Sequence, residues 1–428
     1  MMLVAGLPIV AICLLHQRLL DRSIFLHAAV GEMLMAALNV NAMLWRTSPA
    51  ATELEQVALD WLRQLLGLPH PLFGLMHENA SSGVLCALAA ARQAIPHARI
   101  RELGMAGRAD LAPLRYYASQ EAHASVEKAG IVLGLGQAGL HKIGIDSALS
   151  MNVSELEQAI QHDLAAGLRP FAVVATVGTT STTSIDPVPQ MADLCERYGL
   201  WLHVDASYGG CAAVDPDKQW VLSGCERADT LIVNPYKWLF VPLDGSIFYT
   251  RRPDVVKAAF SLVPDYLSNP ESKDDEVPNL MEYGVALSRR FRALKLWMVL
   301  RYFGQQGLSA RLREHRRLAQ LLAEWVDASA DFERLAPTPF SVVCVSAHPG
   351  DMDDEGQLDV LNERILNRIN AASRFFLSHT RVHGRYAIRL AIGNLRTTEQ
   401  HIRDVWSALQ EACTAEVSTR GTTGSERR

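Results

Sequence analysis

The chain has 428 residues, a formal net charge of -5, 49% hydrophobic and 20% charged residues. That length holds a large α/β domain with a smaller second one, and a mildly acidic balance without a basic patch argues against a nucleic-acid partner. The seven cysteines (Cys13, Cys86, Cys195, Cys211, Cys225, Cys344 and Cys413) are scattered, with no CxxC and no zinc spacing, so no metal is expected and reduced thiols in a cytoplasm are.

The first fifteen residues of "MMLVAGLPIVAICLLHQRLLDRS" are uncharged and apolar. They lack the basic start and small-residue cleavage site of a signal peptide. As a membrane span they are too short, and Pro8 interrupts them, so no membrane partner is expected. A targeting role and a buried leading segment both stay open. In "TSPAATELEQVALDWLRQLLG", Ser48 as N-cap, Pro49 at the first helical position, apolar residues at helical spacing and Gly67 at the end predict a helix. A second helix is expected from Ser82 through Gln93.

The middle of the chain alternates short apolar strands with amphipathic helices: "FAVVATVG", "PVPQMADLCERYG", "LWLHVDAS", "TLIVNP", "GSIFYT". Continuous Val/Ile/Leu runs between helices predict a largely parallel sheet covered on both faces, which binds ligands at the carboxyl ends of its strands. After the loop "VPDYLSNPESKDDEVPN", the helical "LSRRFRALKLWMVLRYFG" leads to "FSVVCVSAHP", a helix near "DVLNERILNRINAASRFF", the hairpin-like "TRVHGRYAIRLAIGN" and the helix "TTEQHIRDVWSALQEAC", a small α+β domain. The expected division is an N-terminal segment 1–47, a large domain 48–300, a small domain 301–413 and a disordered polar tail 414–428. "GLGQAG", Gly134 to Gly139, matches GxGxxG but follows a helix-like run and precedes a strand-like one. This reverses the dinucleotide-binding order, and a helix C-cap with a turn explains the glycines.

Five segments carry residues able to do chemistry. Lys237 lies just past the end of "TLIV", among aromatics; it is either a snorkelling surface lysine or an amine whose lowered pKa suits it to a Schiff base with an aldehyde. Asp205 ends "LWLHV" and could pair with a lysine, cap a helix, or hold the protonated pyridine nitrogen of pyridoxal phosphate (PLP). Ala80, Ser81 and Ser82 open an apolar helix, where free N–H groups suit a phosphate or where a serine simply caps. His123 stands at another helix entrance, able to start the helix, fill a core or lie against a planar cofactor. Thr179 and Thr180 follow "FAVVA" in a polar turn whose hydroxyls could reach a phenolic oxygen.

In this order, the histidine segment "SQEAHASVEKAG", "HVDA", "NPYKW" and "RRFRALKLW" resemble the group II PLP-dependent decarboxylases, the family of aromatic L-amino acid decarboxylase. The similarity runs from "GEMLMAALNVNAMLWRTSPAATELE" to "AIRLAIGNLRTTEQH", most of the chain. The resemblance implies the PLP-dependent transferase fold (fold type I), with Lys237 as Schiff-base lysine and Asp205 at the pyridine nitrogen. It puts His123 on the ring and toward the substrate carboxylate, Thr180 at the 3′ oxygen, and Ala80, Ser81 and Asn234 on the phosphate. Tyr266, in "VPDYL", matches a tyrosine thought to return a proton to Cα after CO₂ leaves; related aldehyde synthases carry phenylalanine there. The implied activity is decarboxylation of an L-amino acid, nearer the aromatic than the glutamate branch, by a homodimer with interfacial active sites. An aldehyde synthase, a glutamate-like decarboxylase and a non-catalytic homologue are the other readings. The chain departs from the family at Tyr236, where histidine is usual, and at Ser207, where alanine is usual; both positions are expected near the cofactor. A Trp/His/Pro-rich stretch and a dimer-clasping helical segment, N-terminal in the family, have no expected counterpart here.

Overall fold

A computed structural model describes residues 24–262, 277–350 and 352–425. The leading apolar stretch through Ser23 and the segment carrying Tyr266 lie outside them. The described residues form two compact units, one from residues 24–180 and 185–309, the other from residues 310–425 together with 181–184.

The larger unit contains, in chain order, α1 (Ile24–Leu38), α2 (Pro49–Leu65), β1 (Phe73–His77), α3 (Ala80–Gln93), α4 (Ile100–Leu103), β2 (Leu114–Ser119), α5 (Ala124–Val132), β3 (Leu140–Ile143), α6 (Val153–Ala165), β4 (Arg169–Thr176), α7 (Val188–Tyr198), β5 (Trp201–Asp205), β6 (Thr230–Val233), α8 (Pro235–Trp238), β7 (Ser246–Thr250) and α9 (Pro253–Phe260). Seven strands make one sheet in the order β1-β7-β6-β5-β4-β2-β3. Pairings from β3 through β6 are parallel, whereas β7 runs antiparallel to both β6 and β1. β1, β2, β4, β5 and β6 therefore all point the same way, and their carboxyl ends share one edge. The apolar run of "GSIFYT" marks a strand but carries no signal of its direction.

Strands buried on both sides explain the unbroken apolar runs. On one face Ala172 and Val174 of β4, Trp201, Ile232 and Phe248 pack with Val84, Ala87 and Leu88 of α3. The other face is covered by α6 and α7, whose buried Leu156, Ile160, Met191 and Leu194 follow helical spacing. α3 approaches β6 closely: a Cβ on Gly83 would come within 2.9 Å of Ile232 Cγ2. α2 starts where Ser48 and Pro49 predict, yet Ser48 does not cap with its side chain; its hydroxyl donates to the Asn41 and Leu44 carbonyls. α3 starts at Ala80, two residues earlier than expected, because Asn79 accepts from the Ser82 N–H and caps it. The helix-before, strand-after order around Gly134–Gly139 holds, with α5 preceding and β3 following.

The change of unit comes between Ser309 and Ala310, inside α10 (Ala293–Asp327), rather than near residue 300. The backbone leaves helical geometry at Gly304, φ 59°, where the helical stretch read from sequence ends, but the helix resumes beyond it. The smaller unit adds β8 (Phe332–Arg334), β9 (Val342–Ala347), α11 (Glu355–Ala371), β10 (Ser378–Val382), β11 (Arg385–Ala391) and α12 (Glu399–Ser425). Its antiparallel sheet, ordered β10-β11-β9-β8, packs Val343, Val345, Ile388 and Leu390 against α11 and α12. The tail expected to be disordered from residue 414 is instead helical to Ser425: Ala412 and Cys413 are buried and Glu416 pairs with Arg368, so packing overrides a polar composition.

Candidate active site

The shared carboxyl edge gathers residues scattered along the chain. β1 leads into the start of α3 with Ala80 and Ser81, and β2 leads to His123. β4 leads through a turn at Gly178 to Thr180, β5 ends on Asp205, and β6 runs directly into Asn234 and Lys237. Thr176 and Asp205 are register partners, as are Asp205 and Ile232, which fixes the ends of β4, β5 and β6 side by side.

Asp205 is buried, and its Oδ1 accepts the Ser207 N–H at 3.0 Å. The Ser207 carbonyl accepts the Asn234 N–H at 3.1 Å, and the Asn234 carbonyl accepts the Lys237 N–H at 3.0 Å. These three links tie the aspartate loop to the lysine turn by backbone geometry. Beneath Asp205, buried His203 bonds Thr230 Oγ1 through Nδ1 at 2.9 Å, and desolvation holds its pKa down at about 4 against the pull of Asp205. Lys237 is half-buried in the one-turn helix α8, while Trp238 beside it is fully buried and stacks on Tyr208 at 5.0 Å. The tryptophan packs; the lysine faces a partly open site.

His123 caps α5: its Nδ1 accepts the Ser125 N–H at 3.2 Å and lies 2.8 Å from Ser125 Oγ. With Nδ1 accepting, Nε2 carries the proton of the neutral ring. The residue is exposed, yet the protein around the ring lowers its pKa below the ordinary value, with Asp205 opposing and Lys237 and Lys128 adding to the shift. The charges of Asp205 and Lys237 thus both reach the histidine.

α3 and α8 both start at this edge. The Asn79 cap uses the Ser82 N–H and leaves Ala80 and Ser81 at the helix start, Ser81 exposed. Asn234 is fully buried; its Nδ2 donates to the Tyr236 hydroxyl at 2.9 Å, while its Oδ1 and the buried Ser207 Oγ have no partner. An unpaired buried Ser207 hydroxyl, able to donate, together with a helix start and a lysine at the same edge fits a site that receives a polar, anionic group such as PLP. Thr180 lies exposed just beyond β4 at the same edge. Tyr266 lies outside the described residues. Among the described residues no group of three His, Cys, Asp or Glu could hold a metal ion, and six cysteines are buried and unpaired.

Sequence reading gave "RRFRALKLW" no role for its cations. Arg289 bonds Glu55 at 2.7 Å and the Met76 carbonyl at 2.8 Å, Arg292 grips Asp244 through two 3.0 Å bonds, and fully buried Lys295 bonds Glu32 at 2.9 Å. These pairs brace β1 just before Ala80, and the loop between Lys237 and β7. The three-residue spacing of 289, 292 and 295 was the available signal for one face.

The pyridoxal-dependent decarboxylase conserved domain matches residues 16–348. Tyrosine decarboxylase 2 of Arabidopsis thaliana is 38% identical over 390 residues, 89% of this chain and 70% of that one. A phenylacetaldehyde synthase of the same plant is 35% identical over 390 residues, 89% and 78% of the two chains. The crystal structure of Oryza sativa TDC with PLP and tryptamine superposes with a TM-score of 0.86 at 34% identity, covering 91% of this chain and 81% of that one. With this match over most of its length and a PLP-type fold around the lysine edge, the chain belongs to the pyridoxal-dependent decarboxylases, carboxy-lyases that use PLP.

Proposed function

We propose that this chain removes CO₂ from an aromatic L-amino acid to give the corresponding amine, with the reacting centre at Lys237, Asp205 and His123. The observation that carries the reading is the convergence of these three residues on one edge of the sheet, close enough for each charge to act on the histidine. Aromatic substrates are favoured because the relatives are named for tyrosine decarboxylation and phenylacetaldehyde synthesis, and the rice structure holds tryptamine.

Bound PLP supplies an electron sink for the pair left when the Cα–carboxylate bond breaks. Lys237 would be its covalent anchor through the ε-amine. Asp205, held by the Ser207 N–H, keeps a proton on the pyridine nitrogen. The N–H groups at Ala80 and Ser81, with Asn234, hold the phosphate; Thr180 serves the 3′ oxygen, and Ser207 contributes its unpaired hydroxyl. His123, its Nδ1 tied to Ser125, would pack against the cofactor and would offer Nε2–H to the substrate carboxylate. Tyr266 returns the proton to Cα.

A homodimer is supported by apolar residues left exposed: Met33, Leu34 and Leu38 on α1, with Val285 and Leu287. A reducing compartment such as the cytoplasm suits six buried unpaired thiols, and among the described residues no helix is long and apolar enough to cross a membrane.

The test incubates PLP-loaded protein with tyrosine, tryptophan, DOPA, phenylalanine and glutamate and measures CO₂, amine, aldehyde and peroxide. Amine with equimolar CO₂ from an aromatic substrate is expected. Aldehyde, ammonia and peroxide with uptake of O₂ would replace the reading with the synthase activity; turnover of glutamate alone would overturn the aromatic preference. Tyr266→Phe is expected to move products from amine toward aldehyde.

A further inference from the structure

We propose that the smaller unit carries a binding site for an arylalkylammonium ion, in the cleft between α11 and the edge strand β10, where Glu363 and the Tyr386 hydroxyl receive the ammonium group. The site stands on that unit's own residues; taking its occupant to be the amine product rests on the function proposed above.

Asp359 and Glu363 are four residues apart on α11 and share one face of the helix. His379 and Arg381, two apart on β10, point to one face of the small sheet, and Tyr386 of β11, the register partner of Arg381, points the same way. With Val360 they line a cavity of about 460 Å³, within the size range of small-molecule sites. Regular elements fix its shape. Asp359 accepts the Tyr386 N–H at 2.7 Å through Oδ1 and the Arg381 guanidinium at 2.7 Å through Oδ2, so it clasps the helix to the strands and its charge is matched.

The groups left over have one chemical character. Tyr386 is only 8% exposed, yet its hydroxyl makes no hydrogen bond among the described residues, although a buried phenol ordinarily finds a partner. Glu363, on the same cavity, has neither an ion pair nor a hydrogen bond among them. Burial pushes the Tyr386 phenol up, the charges of Glu363 and Asp359 add to this, and Arg381 opposes, so the hydroxyl stays neutral beside an excess of negative charge. A phenol oxygen and a carboxylate both accept, and together they suit a donor that carries positive charge. His379 lies parallel on Tyr386 with ring centroids 4.9 Å apart, and exposed Val360 adds an apolar surface. Stacked rings and a valine suit an aromatic body attached to that cation. A bare metal ion fits less well, since among the described residues no group of three His, Cys, Asp or Glu could hold one.

The test uses PLP-loaded protein reduced with borohydride, in which the cofactor is fixed and an added amine cannot attach to it. Wild type, Glu363→Gln and Tyr386→Phe would be titrated calorimetrically with tyramine. The same would be done with 4-ethylphenol, which lacks the ammonium, and ethylammonium, which lacks the ring. Tyramine is expected to bind wild type more tightly than either analogue. Glu363→Gln is expected to weaken it about 10-fold, the scale of a hydrogen bond to a charged group, and Tyr386→Phe about 5-fold. Glu363 lies on the surface, so its variant keeps the fold and the rate of amine formation even where Tyr386→Phe proves unstable. Equal tyramine affinity in wild type and Glu363→Gln, 4-ethylphenol binding as tightly as tyramine, or no binding of tyramine to wild type would each overturn the site. Glu363-dependent tyramine binding by a protein that releases no amine from any aromatic amino acid would support the site and overturn the functional reading alone.

Discussion

Removing the carboxylate of Glu55 probes the scaffold beneath the site. Glu55 is 1% exposed and Arg289 7%, and their 2.7 Å bond joins α2 to the segment before α10. Glu55 Oε1 also accepts the Met76 N–H at 2.9 Å, and Arg289 also donates to the Met76 carbonyl, so both charges meet on β1 four residues before Ala80. Glu55→Ala leaves a buried guanidinium without its counter-charge, which costs about 3–5 kcal/mol. Glu55→Gln keeps an acceptor for Met76 and loses only the charge assistance, about 1–2 kcal/mol. Replacing both partners, Glu55→Met with Arg289→Met, removes the orphan charge, so the double variant is expected to be more stable than Glu55→Ala. Urea unfolding of the apo-protein at pH 7, followed by far-UV circular dichroism, gives all four stabilities. The same variants titrated with PLP report whether a displaced β1 carries the start of α3 with it; Glu55→Ala is expected to weaken PLP as well. A Glu55→Ala protein within about 1 kcal/mol of wild type would refute the reasoning, because an unpaired buried guanidinium is incompatible with so small a loss.

Acid should destabilise the fold before carboxylates titrate. Burial, reinforced at His77 by the Arg289 charge and opposed at His203 by Asp205, holds both histidines down at about 4. The unfolded chain then takes up protons first, so their stability contribution is intact above about pH 6.5 and is lost as the pH falls toward 4, on the order of 2 kcal/mol each at pH 5. Asp186, pushed up to about 6 by burial, works the other way and offsets about 1 kcal/mol, since its folded-state preference for the neutral form is recovered as the pH falls. Urea midpoints at pH 5 and pH 7 check this; equal midpoints would contradict it. Asp205→Asn is expected to lower kcat for amine formation by about 10²–10³-fold with an unchanged fold, as removal of a single electrostatic group at a reacting centre does, and wild-type rates from it would remove the aspartate from the mechanism.

Much of the site was legible because the sheet writes itself into the chain. The runs ending in Asp205 and Asn234 are buried on both faces, so they read as strands, and parallel order brings their ends together without further information. Strand direction was not legible for β7, since a five-residue apolar run is identical read as parallel or antiparallel. The Asn79 cap competed with the serines at Ser81 and Ser82, and only coordinates show which oxygen meets the Ser82 N–H. The helix beyond residue 413 includes the Glu416 pairing with Arg368, a contact between distant segments that composition does not encode.

The central claim is that Lys237 is the covalent anchor of PLP. Reducing the PLP-loaded protein with borohydride and mapping the labelled peptide by mass spectrometry tests it directly. The account predicts a phosphopyridoxyl group on Lys237, absent when Lys237→Ala is treated in the same way; a label on any other lysine, persisting in that variant, would contradict it.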